Sequence, residues 1–136
     1  MDVPNFKLNE DEYGKIVVIL SRLMAKMDAM SVCLINQNGQ DIAHQGTLDG
    51  TDIQALSSLA ASNMAATYGM ASLIGEQAFR RIYHRGESSS IIINPVGDLA
   101  LILAIVPTEK GRTLNLKSLN QAALILNDIL QRCSKE

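Results

Sequence analysis

Hydrophobic positions recur along this chain with two different spacings, which together predict three helices and five strands. A three- and four-residue spacing begins after Asn9, whose side chain fits a helix cap with Glu12 three residues later, and this helix is predicted to end near Asp28. The same spacing predicts a last helix capped by Asn115 or Thr113. The predicted buried positions are Tyr13, Ile16, Leu20, Leu23 and Met27 in the first helix, and Leu116, Leu119, Ala123, Leu126, Leu130 and Cys133 in the last.

Five short apolar or β-branched runs predict strands at 30–36, 40–45, 79–85, 89–94 and 99–106. The first two flank Asn38-Gly39, a strong hairpin signal because both residues tolerate positive φ. The run 99–106 is apolar on both faces, so we predict a central strand that is covered on both sides, followed by a polar loop at 108–112. The run 79–85 carries charge on both faces, which is typical of an edge strand. This order of elements predicts an α+β sandwich around an antiparallel sheet.

The middle helix, predicted over 51–75, carries very little charge. Thr51 and Gln54 fit its capping box, and Gly75 is a natural stop. One stripe is predicted to face the core: Leu56, Leu59, Asn63, Ala66, Met70 and Leu73. A second stripe contains only small residues: Ser58, Ser62, Ala65, Gly69 and Ser72. Because Lys and Glu are expected on a solvated face, and because glycine costs a helix about 1 kcal/mol, we predict that this stripe contacts another protein. The alternatives are cover by other helices of the same chain and a merely alanine-rich helix.

Composition narrows the class of protein. The 136 residues suit one domain, predicted over 9–134, with a tail at 1–8 that contains Pro4. The net charge of −2, the absence of a basic block and the 4% aromatic content disfavour nucleic acid and anionic membranes as partners. The longest apolar run is too short to span a bilayer. Cys33 and Cys133 lie far apart without metal-type spacing. Two buried or idle thiols in a cytoplasmic protein are the favoured interpretation, and a disulfide between them is the alternative.

No combination of residues in the sequence indicates a catalytic site. There is no phosphate-binding loop, and His44 and His84 lack partners at metal-ligand spacing, so neither a cofactor nor a metal is expected. An arginine among Arg80, Arg81 and Arg85 could act in trans on a GTPase, which is worth about 10³–10⁵ in rate. Solubility of the edge strand and salt bridges across a dimer are the favoured interpretation of these arginines.

Three segments resemble the roadblock (dynein light-chain) domain family, and most closely its bacterial branch of MglB-like regulators of Ras-like GTPases. They are NQNGQDIAHQG at 36–46, LAASNMAAT at 59–67 and FRRIYHRGESSSIIINPVGDLALILAIV at 79–106. The resemblance extends over about residues 10–133. It implies a roadblock-like α-β-β-α-β-β-β-α sandwich, a five-stranded antiparallel sheet with the first and last helices on one face and the long helix on the other.

The resemblance also implies a mode of action. Family members form homodimers or heterodimers by pairing their third strands, which here contain Phe79, Arg80, Arg81, Ile82, Tyr83, His84 and Arg85. The two long helices then lie side by side, with the small stripe at or near their contact and the adjoining GTPase-docking surface. In the MglB-like branch the dimer promotes GTP hydrolysis by reshaping the GTPase's own switch regions, without contributing a catalytic residue.

The sequence therefore predicts a homodimeric, non-catalytic module that docks a small Ras-like GTPase on its long helix. The resemblance leaves open whether hydrolysis is stimulated or the GTPase is only docked. A structural adaptor within a larger complex is the alternative. A small-molecule sensor is a weaker one, because few aromatic and polar groups are available to line a pocket. Enzymatic activity of its own is the weakest interpretation.

Overall fold

The eight predicted helices and strands occur in their predicted order in this computed structural model, together with three short elements that were not predicted. The structure describes residues 2–3, 5–47, 49–77, 80–111 and 115–135. Its elements are β1 (Asp2–Val3), β2 (Phe6–Lys7), α1 (Glu10–Met27), β3 (Ser31–Asn36), β4 (Asp41–Gly46), α2 (Ile53–Leu73), β5 (Ile82–His84), β6 (Ser89–Val96), β7 (Ala100–Pro107), α3 (Thr108–Gly111) and α4 (Leu116–Arg132).

The main sheet has five antiparallel strands in the order β4-β3-β7-β6-β5. Strand β7 lies at its centre, and all of its residues except Pro107 are buried, as the apolar run 99–106 predicted. Successive side chains of β7 point to opposite faces. Ile102 and Ala104 join the core beneath α1 and α4, whereas Leu101 and Leu103 join the core beneath α2. The predicted α+β sandwich, with two helices on one face and the long helix on the other, is thus confirmed.

The ends of α1 and α4 follow the predicted caps. Asn9 Oδ1 accepts from the Glu12 backbone N–H at 2.7 Å, and Glu12 Oε1 accepts from the Asn9 backbone N–H at 3.1 Å. The left-handed backbone of Asp28, with φ of 53°, ends α1. Asn115 caps α4 by accepting from the Ser118 N–H at 3.1 Å, whereas Thr113, the other predicted cap, lies outside the described residues.

The prediction of a tail before Asn9 is wrong for the described part of that segment. Phe6 and Leu8 are each only 1% exposed and belong to the core beneath α1 and α4. The backbone of this segment pairs with the end of α4: Lys7 N donates to Cys133 O at 2.9 Å, and Lys135 N donates to Asn5 O at 3.1 Å. Burial of two large side chains and pairing with the C-terminal segment order these residues.

Three further predictions need correction. The edge strand covers only Ile82–His84, because its pairing with β6 begins at Ile82; Arg80 and Arg81 precede it, and Phe79 lies outside the described residues. The predicted polar loop at 108–112 contains a short helix, α3, where Thr108 Oγ1 donates to Gly86 O at 2.8 Å. In the stripe predicted for α4, Leu116 is 39% exposed and Ala123 is only partly buried. Of the two residues predicted beside that stripe, Ile129 is buried but Ile125 is 52% exposed, and Ala122 is buried in addition.

Candidate protein-docking surface

The long helix α2 begins one residue later than the proposed capping box requires. Asp52, not Thr51, is the cap, and its Oδ1 accepts from the Ala55 N–H at 3.0 Å. A carboxylate is the stronger acceptor and is favoured by the positive end of the helix. Gln54 instead donates its amide to Gly39 O at 3.2 Å, so it links α2 to the β3–β4 turn. Gly75, with φ of 79°, follows the end of the helix, as predicted.

The side of α2 that faces the sheet consists largely of small residues. Its buried members are Ser57, Ala60, Ala61, Met64 and Ala71. The β3–β4 turn also approaches this helix closely, since a Cβ on Gly39 would lie 2.7 Å from both Ser57 O and Ser58 Cα. Small side chains permit this close packing. The helix therefore turns its small inner residues, rather than its larger leucines, toward the sheet.

The predicted core stripe of α2 is consequently wrong. Leu59 is 68% exposed, Met70 62% and Leu73 87%, and Ala66 is exposed as well. Only Leu56 and Asn63 of that stripe are partly buried. Because the helix is apolar or small on every side, a three- and four-residue spacing can be drawn along more than one face.

The outer face of α2, as we define it, unites the small stripe with these exposed apolar residues. Its members are Ser58, Leu59, Ser62, Ala65, Ala66, Gly69, Met70, Ser72 and Leu73, and all are exposed. No Asp, Glu, Lys or Arg occurs between Ile53 and Leu73. A charge-free exposed helix face of this kind is typical of a surface that another protein covers. The role of the predicted residues Ser58, Ser62, Ala65, Gly69 and Ser72 in partner binding stays a prediction.

No contact or backbone conformation in the described protomer requires a glycine at position 69. A Cβ placed on it would meet no atom within 4 Å, and its φ is not positive. A glycine inside a helix costs about 1 kcal/mol relative to alanine. The absence of a side chain at this position is therefore useful only if something outside the described protomer approaches α2 there.

Strand β5 forms one edge of the sheet, next to the outer face of α2. It pairs with β6 alone, so its other edge presents unpaired backbone groups to the surroundings of the described chain. Asn63 Nδ2 of α2 lies 3.2 Å from His84 Nε2 of β5, and Tyr83 is 40% exposed. The edge and the helix face thus form adjoining parts of one surface.

Arg81 fixes the segment that leads into β5. Its Nε donates to Asn94 Oδ1 at 3.1 Å and its Nη2 donates to Asn120 Oδ1 at 2.7 Å, so one guanidinium joins β6 and α4. Asn94 is only 4% exposed. Arg80 and Arg85 are exposed, and no hydrogen bond joins either side chain to another described residue. Sequence reasoning did not foresee this arrangement, because the two asparagines lie 13 and 39 positions from Arg81.

Neither of the two thiols provides a reactive centre in the described chain. Cys33 and Cys133 are buried and free, and burial raises the pKa of both thiols. Cys133 Sγ donates to Glu12 Oε2 at 2.9 Å; burial and this bond raise the Cys133 pKa to about 11, and the same bond lowers the pKa of Glu12. Both thiols are therefore protonated at neutral pH and poorly nucleophilic.

Neither a metal site nor a membrane-spanning helix is found in the described part of the chain. His44 is exposed, with Nδ1 3.1 Å from Asp41 Oδ2. Within the described ranges, no three His, Cys, Asp or Glu side chains come together as a metal site would require. The described helices include none with the length and hydrophobicity needed to cross a membrane.

Comparison with known proteins identifies the family. A family model for the Roadblock/LC7 domain matches residues 15–106. MglB of Myxococcus xanthus is 31% identical, with 96% of this chain and 98% of that chain covered and a TM-score of 0.85.

Two further solved structures are similar. The gliding protein MglB of Thermus thermophilus is 25% identical, with coverage of 97% and 100% and a TM-score of 0.81. An MglB with a tetrameric arrangement is 27% identical, with coverage of 96% and 98% and a TM-score of 0.80. No curated protein matched in a sequence comparison. The fold and these matches confirm the resemblance, and the chain belongs to the Roadblock/LC7 domain family.

Proposed function

We propose that this chain is a homodimeric regulator without catalytic residues of its own, which binds a small Ras-like GTPase through the outer face of α2. The observation that carries the proposal is a 21-residue helix without a charged side chain, whose outward side exposes Leu59, Met70 and Leu73. Contiguous exposed apolar surface on a folded domain marks a protein-binding site. The similarity to MglB proteins and the family resemblance direct the choice of a GTPase as the partner.

The edge strand provides the dimer contact in this proposal. Two copies pair their β5 strands, including the predicted edge residues 79–85, and their sheets become continuous. Pairing at β5 brings the two α2 helices together, because Asn63 and His84 already hold strand and helix side by side. The small residues Ser62, Ala65 and Gly69 then permit close approach of the helices. The tetrameric arrangement of one MglB relative supports self-association.

The apolar residues of the outer face contribute the binding energy. Full burial of a side chain such as Leu59, Met70 or Leu73 stabilises a complex by about 1.5–3 kcal/mol. No arginine needs to enter the GTPase site. Arg81 already donates to Asn94 and Asn120, whereas Arg80 and Arg85 are exposed. The family resemblance, rather than these contacts, is the reason to propose that this chain reshapes the GTPase's switch regions instead of stabilising transition-state charge in trans.

The test is multiple-turnover GTP hydrolysis by a Ras-like GTPase that co-purifies with the tagged chain, measured with and without added protein. We expect faster hydrolysis with the wild type, and the basal rate with Gly69→Arg, because a bulky cation on the outer face both separates the paired α2 helices and prevents docking. Gly14→Arg is the matched control: Gly14 also lies inside a helix, and a Cβ placed on it meets no atom within 4 Å, but it belongs to α1, on the other side of the sheet.

Three outcomes separate the hypotheses. Loss of both binding and stimulation in Gly69→Arg, with native circular dichroism and a normal Gly14→Arg variant, supports the proposal. Binding of the GTPase with unchanged hydrolysis favours the structural adaptor. Unchanged binding by Gly69→Arg contradicts the assignment of the docking surface to the outer face of α2.

A further inference from the structure

An open hollow lies where α4, the end of β6 and the segment before β5 meet, and Tyr68 of α2 also contributes to its wall. Its volume is about 520 Å³, and sites for small ligands commonly have volumes of about 300–1,000 Å³. The apolar part of the lining includes Pro95 and Leu124, and Leu124 is 72% exposed. The hollow therefore has the size of a small-molecule site and an apolar side.

The charged side chains of this hollow are Arg80, Arg81 and Asp98, so its lining carries a net positive charge. The ion pairs within the described residues join other cations to carboxylates, and neither arginine takes part in one. The Asp98 carboxylate acts on Tyr68 instead: burial and then this charge raise the pKa of the Tyr68 hydroxyl, which stays protonated as a hydrogen-bond donor. The hollow thus contains positive charge that no described carboxylate neutralises.

Two amide oxygens hold the Arg81 guanidinium in a fixed orientation. Its Nε donates to Asn94 Oδ1 at 3.1 Å, and its Nη2 donates to Asn120 Oδ1 at 2.7 Å. Asn94 is only 4% exposed, and its own Nδ2 donates to Pro95 O at 3.0 Å, so its amide is fixed in turn. Arg81 Nη1 donates to no described residue. The guanidinium is therefore oriented in advance and keeps N–H groups available for a ligand.

The identity of these two partners indicates which chemical group the guanidinium binds. Asparagine and aspartate have nearly the same shape, but an aspartate at either position would neutralise Arg81. The two neutral amides leave a half-buried positive charge uncompensated, which costs desolvation free energy. A carboxylate or phosphate recovers this free energy, because the planar fork of a guanidinium matches two of its oxygens. A bridge that only joined β6 to α4 would be stronger with an aspartate.

We propose that this hollow binds a small organic anion, whose carboxylate or phosphate group accepts hydrogen bonds from Arg81 and whose apolar part packs against Leu124. Arg80 is exposed and supplies a second cation, and the Tyr68 hydroxyl supplies a neutral donor. The anion then lies against the segment that leads into β5, away from the outer face of α2. This inference does not depend on the proposed GTPase binding.

The test follows the side-chain N–H signals of the full-length chain by proton–nitrogen correlation NMR during titration with benzoate, phenyl phosphate or benzamide. Benzoate and benzamide have nearly the same shape, but only benzoate is an anion. We expect at least one of the two anions to shift the Arg81 Nε–H and Asn120 Nδ2–H signals in a saturable way, and benzamide to leave them unchanged. The anion with the lower Kd shows whether the site recognises a carboxylate or a phosphate.

Replacement of Asn120 by aspartate tests the site without removing Arg81, whose loss would also lower stability. Asn120→Asp supplies a carboxylate at the position of the amide and keeps the bond to Arg81 Nη2, so the chain should remain folded. Because this carboxylate occupies the guanidinium, the Kd of the anion should rise about 10-fold or more. Gln121→Glu is the matched control: it adds the same charge to the next residue of α4, but Gln121 lines a different hollow. Its Kd should change less than about 2-fold.

The outcomes are distinct for this site and for the proposed function. Saturable anion binding at Arg81 that is weakened in folded Asn120→Asp and retained in Gln121→Glu supports the proposal. Three results overturn it: no saturable shift with either anion, equal shifts with benzamide, or equal anion affinity in the two variants. GTPase binding should be the same in wild type and Asn120→Asp, because Asn120 lies on α4 and the outer face belongs to α2.

Discussion

Helices α1 and α4 bury branched aliphatic side chains on one face of the sheet, whereas α2 on the other face buries mostly serine and alanine. Ile16, Leu20 and Leu126 are completely buried beneath the first face. On the α2 face, large side chains such as Leu59 and Leu73 point away from the sheet. The core beneath the first face is therefore built from large side chains of its own helices, whereas α2 leaves Leu59, Met70 and Leu73 exposed. In the proposed function, the exposed apolar surface of α2 gains stability when a partner covers it.

Replacement of one leucine on each face by alanine should produce the largest difference in the free energy of unfolding. Leu126→Ala removes a side chain that is 0% exposed and should lower the free energy of unfolding by about 2–5 kcal/mol, because a cavity remains in the core. Leu59→Ala removes one that is 68% exposed and should change it by less than about 0.5 kcal/mol. Urea unfolding of dilute protein measures both. Comparable losses for the two variants would contradict the contrast between the faces.

Arg81 joins the edge of the sheet to the α4 face, and its removal should have an intermediate effect. Arg81→Ala leaves Asn94 Oδ1 without its donor in a side chain that is 4% exposed, so we expect a loss of about 1–3 kcal/mol. Arg80→Ala, the control, removes an exposed neighbour and should cost less than about 0.5 kcal/mol. Thermal unfolding distinguishes them. If both variants unfold alike, the guanidinium does not fix this segment.

Replacement of Gly69 by alanine should raise the stability of the protomer but weaken GTPase binding. Gly69→Ala and Gly14→Ala should each stabilise the protomer by up to about 1 kcal/mol, since neither new Cβ meets an atom within 4 Å. Gly69→Ala alone should weaken GTPase binding, because the methyl group occupies the outer face of α2. Chemical unfolding and a binding titration give the two quantities. Equal GTPase affinity for the two variants would show that Gly69 is not at the contact.

The smallest expected effect is a pH dependence from Cys133. Its pKa is raised from 9.0 to about 11 in the folded chain, mainly by burial and then by the bond to Glu12. The folded state therefore holds this proton more tightly, so its contribution to stability is complete below about pH 9 and is lost as the pH rises toward 11. Cys133→Ser keeps a donor for Glu12 without a thiol that titrates in this range. The alkaline decline in stability should be shallower in this variant, and an unchanged decline would exclude the thiol as a contributor.

The elements with an unambiguous polar side could be predicted from the sequence. The cap formed by Asn9 and Glu12 is a local signal, and charged positions on α1 and α4 leave only one face for the core. Helix α2 has no charged residue to mark its outside, so its orientation depended on which side packs closely against the sheet. The burial of Phe6 and the bonds of Arg81 depend on distant parts of the chain and have no local signature. The edge strand and a protein contact on the small stripe were predicted from the residues themselves, whereas their roles in dimer pairing and GTPase docking came from the family resemblance. These roles stay predictions.

The central claim, that a protein partner covers the outer face of α2, is tested most directly by oxidation of two methionines in one helix. Met64 is 1% exposed and Met70 is 62% exposed in the protomer, so hydroxyl-radical footprinting should oxidise Met70 much faster in the separated chain. In the purified complex with the co-purifying GTPase, the account predicts that the oxidation rate of Met70 falls several-fold toward that of Met64. Rapid oxidation of Met70 in a complex that demonstrably contains the GTPase would contradict it.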